Sequence, residues 1–242
     1  GAEAAVRAPA DGYTLMFGNS ATLAIAPAIY KKLSYNPVTS FAPIGLVSTG
    51  SMLVVVNSKL TAKTLPELIA LAKAQPGQLN FGSAGNGTPL HLGGELLNML
   101  AGTQIVHVPY KGGGPALAGL LGGEVQVGID LAPTLLQHIR SGAIRPLAVA
   151  GPTRLAVLPD VPTAAEAGLA GLDVPLFTGL VAPAGIAPDV EATLSAALRK
   201  VLAREDVIEA AKQGGFVLAS ANTSSPAQFR TYIGQQMATW AK

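Results

Sequence analysis

Four times between Leu46 and Pro133, a short apolar run gives way to a helical pattern with proline in or beside its first turn. Proline costs nothing there, because that N–H has no partner inside the helix. Apolar β-type runs alternating with helices predict βα units and mostly parallel sheets. The chain therefore reads as α/β.

The first repeat pairs the extended run Leu46–Val56, polar only around Ser48–Ser51, with a helix capped by Thr64. Pro66 follows in the first turn, and Glu67 stands where a reciprocal capping box requires it. Leu68, Ile69 and Leu71 give that helix an apolar face, and Pro76-Gly77 ends it. The next three runs are Leu79–Gly82, Gln104–Val108 and Val125–Asp130, with helices starting at Thr88-Pro89, near Pro115 and near Pro133. Outside this block, Tyr13–Phe17 reads as a strand running into the loop Gly18-Asn19-Ser20-Ala21. Residues 151–176, rich in proline and glycine, resemble a crossing segment between domains. A strand over Leu176–Val181, a long helix from Asp189 to about Arg204 and a final helix from Ser225-Pro226 complete the pattern.

A chain of 242 residues is long enough for one large domain or two ordinary ones. It is 49% hydrophobic and 12% charged, the balance of a folded globular protein. The net charge of +2 is thinly spread and aromatics are scarce, which argues against nucleic acid as a partner. Without cysteine there are no disulfides, thiolate nucleophiles or cysteine-ligated metals. No apolar run reaches the roughly 20 residues that span a bilayer, so no direct membrane insertion is expected.

Ligands of parallel α/β sheets collect beyond the carboxyl ends of the strands. The loop Gly82–Gly87 stands at such an end and opens onto a helix N-terminus, where N–H groups and the helix dipole favour an anion. Ser83 and Thr88 add hydroxyls; Thr88 stands where a P-loop would place lysine, so a lone carboxylate fits better than a triphosphate. The alternative is a tight turn with Thr88 as an ordinary N-cap. Lys111 is either an anion partner or a solvated lysine, and Tyr110 either walls a cleft or packs at a strand end. Asp130 ends an apolar strand; it either meets a ligand donor or accepts N–H bonds from the following turn.

His91, His107 and His138 lie in different elements with no metal-ligand spacing, so neither a metal nor another cofactor is expected. No nucleophile elbow or paired-carboxylate pattern is present. Binding is the economical reading. Its rivals are an enzyme using Asp130 or His91 as general base, and a sensor that signals through a partner protein.

The order and spacing of several motifs resemble the substrate-binding proteins of tripartite tricarboxylate transporters, the Bug-type receptors. They are Ala8-Pro9-Ala10-Asp11-Gly12-Tyr13-Thr14-Leu15, Leu65-Pro66-Glu67-Leu68-Ile69 and Phe81-Gly82-Ser83-Ala84-Gly85-Asn86-Gly87-Thr88 with His91-Leu92. His107-Val108-Pro109-Tyr110-Lys111-Gly112, Ser141–Val149 and Leu158-Pro159-Asp160-Val161-Pro162-Thr163 continue the match across essentially the whole chain.

The resemblance implies a type II periplasmic-binding-protein fold, with two α/β lobes joined by two crossover segments. Residues 1–55 and 174–242 would form one lobe and 56–173 the other, with the hinge in Leu46–Val56 and in residues 151–176. It implies capture of a small carboxylate between the lobes, by Gly18, Asn19, Ser20 and Ala21 of the first and Ser83, Ala84, Gly85 and Thr88 of the second, with Asp130 nearby. It further implies a periplasmic monomer that delivers its ligand to membrane transporter subunits. The family pattern places a strand and helix ahead of the residue numbered 1 here, so the first lobe is expected to lack them.

Overall fold

The computed structural model describes residues 1–220 and 223–241. The chain divides into two compact units, Gly1–Thr49 with Leu176–Lys242, and Gly50–Pro175.

The first unit opens with α1 (Ala2–Val6), β1 (Met16–Asn19), a π-helical turn (Ala21–Ile25) and α2 (Ala26–Ile29), then β2 (Phe41–Gly50). After the excursion into the second unit it resumes with β8 (Leu176–Pro183), α7 (Pro188–Leu202), α8 (Glu205–Gln213), β9 (Val217–Leu218) and α9 (Pro226–Trp240). Its sheet has the order β1-β8-β2-β9, with β1 antiparallel to β8 and β2 antiparallel to β9.

One face of the first sheet is closed by Phe41, Leu46, Phe177 and Val181 against Phe229 and Ile233 of α9. Phe229 lies so close over Gly179 that a Cβ at that position would enter its ring. On the other face Ala42, Ile44 and Ala182 meet Leu194 and Leu198 of α7. The sequence marks α9 at its start: Ser225 Oγ accepts from Gln228 N–H and the Gln228 side chain returns to Ser225 N–H.

The second unit runs β3 (Met52–Asn57), α3 (Leu65–Ala74), β4 (Asn80–Ser83), α4 (Pro89–Ala101), β5 (Val106–Pro109), α5 (Gly113–Gly122), β6 (Val127–Leu131), α6 (Ala132–Arg140) and β7 (Ile144–Ala150). The sheet order is β5-β4-β6-β3-β7. Every residue of β3 is buried, as expected of a strand covered on both faces. Leu53 and Val55 pack with Leu120, Leu135, Ile144 and Val149. The edge strand β7 carries Pro146 beside a bulge opposite Val54 and Val55, a position where a missing N–H is tolerated.

Three expectations need correction. The sheets are mixed: β4 is parallel to β5 and β6, whereas β3 runs antiparallel to β6 and β7, so the connection from β3 through α3 to β4 is not a parallel crossover. The run Leu46–Val56 is two strands broken at Ser51, the polar interruption visible in the sequence. The α3 cap is not fully reciprocal; Thr64 Oγ1 accepts from Glu67 N–H at 3.3 Å, but the Glu67 carboxylate takes the Lys63 N–H at 2.8 Å. Residues 151–175 lie within the second unit, and there Leu155 and Val161 join its core and Val149 N–H donates to Pro162 O. No helix among the described residues is long and apolar enough to cross a membrane.

Candidate functional site

The loop between β4 and α4 is shaped by glycine. Gly85 and Gly87 hold φ of +127° and +75°, which side chains with a Cβ rarely adopt. Ser83, wholly buried, braces it from beneath: its Oγ accepts from Gly85 N–H at 3.1 Å and lies 2.6 Å from His107 Nε2. Thr88 Oγ1 donates to Gly85 O at 2.7 Å, so no side chain caps α4. Leu90 and His91 in the first turn of α4 have no intrahelical acceptor for their N–H groups. Asn86 is exposed, and its side chain bonds to none of the described residues. Spacing alone did not single out Asn86; its exposed place on the loop is the signal.

The neighbouring loop is tied to this one. Tyr110 N–H donates to Ser83 O at 3.0 Å and Gly112 N–H to Ala84 O at 3.1 Å. Tyr110 packs over Gly82 and Gly119, and its hydroxyl donates to Glu124, so it is a packing residue. Lys111 is exposed with no ion-pair partner among the described residues.

The sequence candidates separate into engaged and available groups. The Ser83 and Thr88 hydroxyls, expected as ligand donors, are engaged within the loop; Ala84 and Gly85 contribute backbone. In the first unit Gly18 and Asn19 belong to β1 rather than to a loop after it. Ser20 is buried and its hydroxyl accepts from Phe177 N–H at 2.7 Å, so it anchors β8 instead of facing solvent. Ala21 opens the π-helical turn, and Asn19 is exposed, with its Oδ1 taken by Thr22 N–H.

Asp130 stands near the end of β6, opposite Leu53, and accepts Leu131 N–H at 2.7 Å. Burial pushes its carboxyl up to about 6, against a smaller lowering by that hydrogen bond. A separate groove of about 670 Å³ lies in the first unit among Leu46, Val217 and Tyr232; none of the sequence candidates lines it.

The histidines do form a constellation that spacing concealed. His91 and His107 have ring centroids 4.0 Å apart, and Glu95 brings a carboxylate 3.8 Å from His91 Nε2. One potential ligand atom from each of the three lies within 4.8 Å of the others. His91 Nδ1, however, accepts Gly87 N–H at 3.2 Å, which leaves the imidazole proton on Nε2, the atom a cation would need bare. The cluster therefore reads as a hydrogen-bonded brace. His138 stands apart on α6.

The family model for the tripartite tricarboxylate transporter family receptor matches residues 1–242. The chain belongs to that family. Among curated relatives of this receptor family, Protein BugT of Bordetella pertussis is 35% identical over 243 residues, covering 100% of this chain and 73% of BugT. The chain spans about two thirds of the length of two further relatives. Among solved structures, Rpa4515 of R. palustris with adipate has a TM-score of 0.92 at 29% identity, covering 99% of this chain and 79% of that one. MatC from Rhodopseudomonas palustris with bound malate has a TM-score of 0.90 at 31% identity, covering 99% and 82%. The fold is that of the periplasmic binding proteins, and this family and fold imply an extracytoplasmic location and a solute-binding rather than an enzymatic role.

Proposed function

We propose that this receptor captures a small carboxylate in the periplasm and delivers it to a tripartite tricarboxylate-type transporter. The observation that carries the reading is the loop 82–88, a glycine-shaped turn at the carboxyl end of β4 that opens onto the uncapped start of α4. Backbone N–H groups there favour negative charge without a paired cation. In the proposal Ala84, Gly85, Asn86 and the first turn of α4 grip the carboxylate, while Ser83 and Thr88 hold the loop in shape.

The relatives with adipate and malate support a dicarboxylate as the first ligand to test. Asp130, with its raised carboxyl, would then be a hydrogen-bond donor to a ligand oxygen in mildly acidic conditions instead of a repelling charge. Calorimetry of the full-length protein against mono-, di- and tricarboxylates tests the reading. Saturable binding of at least one acid is expected, and silence from the whole panel would overturn it.

A further inference from the structure

We propose that His91 is a positioning residue whose neutral, Nδ1-accepting form holds the 82–88 loop in shape, so that the grip of this loop weakens when His91 is protonated. The ligand part of this inference rests on the reading of that loop as the carboxylate seat. The loop part stands on geometry alone.

Gly87 N–H points at His91 Nδ1 across 3.2 Å. A backbone N–H only donates, so this contact exists only while Nδ1 has a lone pair. Protonation of His91 sets two donors head to head and removes the tie. His107 meets a different partner. Ser83 Oγ, 2.6 Å from Nε2, is both donor and acceptor and also reaches Gly85 O at 3.2 Å, so it reorients to suit either state of the ring. Only the His91 tie is intolerant of a proton.

The two rings differ in their surroundings. His107 is held below the usual imidazole range, chiefly by burial and then by His91, with Glu95 opposing. Of the elements packed on α4, β5 brings His107, and β4 brings Phe81 and Ser83, which do not ionise in this range. The one titratable group of β6 is Asp130, whose Oδ1 is turned to Leu131 N–H. Glu95, on the helix itself, brings its carboxylate to 3.8 Å from His91 Nε2.

His91→Asn supplies the control, because an Asn oxygen falls near the Nδ1 position, accepts the same N–H and does not titrate. Amide hydrogen exchange and the ¹⁵N shift of Gly87 are followed from pH 8 to 5 in wild type, His91→Asn and His91→Leu. In wild type, protection at Gly87, corrected for intrinsic exchange, is expected to fall roughly three- to tenfold, the worth of one hydrogen bond. It should fall in step with the His91 ring titration, stay flat in His91→Asn and be low throughout in His91→Leu. Malate affinity, compared between wild type and His91→Asn at each pH so that ligand and Asp130 protonation cancel, should diverge by a similar factor at pH 5. A Gly87 amide indifferent to His91 titration overturns the proposal. A responsive amide with no acid bound at any pH upholds the brace and overturns the carboxylate reading instead.

Discussion

Ser83 Oγ, wholly buried, lies 2.6 Å from His107 Nε2 and beneath the Gly85 N–H that it also satisfies. The hydroxyl therefore ties the loop and strand β5 to the end of β4. Ser83→Ala leaves a ring nitrogen and a backbone donor without partners, at a cost of about 1–3 kcal/mol. Urea unfolding of the variant measures this, and the carboxylate affinity should fall with it. Unchanged stability would mean that the loop is shaped by its glycines alone.

The contact of Gly179 with Phe229 makes a second test, in the first unit. A methyl at 179 would enter the Phe229 ring, so Gly179→Ala should cost about 1–3 kcal/mol through overpacking. Phe229→Ala should cost about 3–5 kcal/mol by emptying the core. The two changes share one volume, so their sum should exceed the cost of the double variant. A double-mutant cycle by chemical denaturation reads the coupling, and strict additivity would contradict the packing described.

Asp130 gives a prediction in pH. Its folded-state value, about 6, lies above the ordinary 3.8, so the folded protein holds this proton more tightly than the unfolded chain. The resulting stabilisation is complete below pH 3.8 and is lost as pH rises through about 6. At about 1.4 kcal/mol per unit it amounts to roughly 3 kcal/mol. Asp130→Asn removes the titration, so the stability difference between wild type and variant should shift by most of that amount, about 2.4 kcal/mol, from pH 4 to pH 7. A difference that stays constant across this range would show that the carboxyl is solvated.

Much of this architecture is legible in the sequence because local chemistry and tertiary packing agree. Prolines at helix starts, the Thr64 and Ser225 caps and the apolar run of β3 each place an element within a few residues. Phe41 and Phe177 are buried, and Phe177 meets Phe229 and Tyr232 edge-on. Strand direction is not local. Nothing in Met52–Asn57 tells that its neighbours β6 and β7 run the other way.

At the site, the loop was legible and the roles of its side chains were not. Serine and threonine beside glycines look like ligand donors, yet Ser83 and Thr88 face inward, because a turn with few side chains needs its own hydroxyls to satisfy it. His91 and His107 are sixteen positions apart in the numbering and meet only because α4 and β5 pack together. No sequence period marks such a pair.

The central claim is that a small carboxylate is held by the loop between β4 and α4. Amide chemical-shift mapping during a malate titration tests it most directly. The account predicts saturable shifts concentrated at Ala84, Gly85, Asn86, Leu90 and His91, weakened in Ser83→Ala. Saturable binding that leaves those amides unmoved, or no binding by malate or any other small acid, would contradict it.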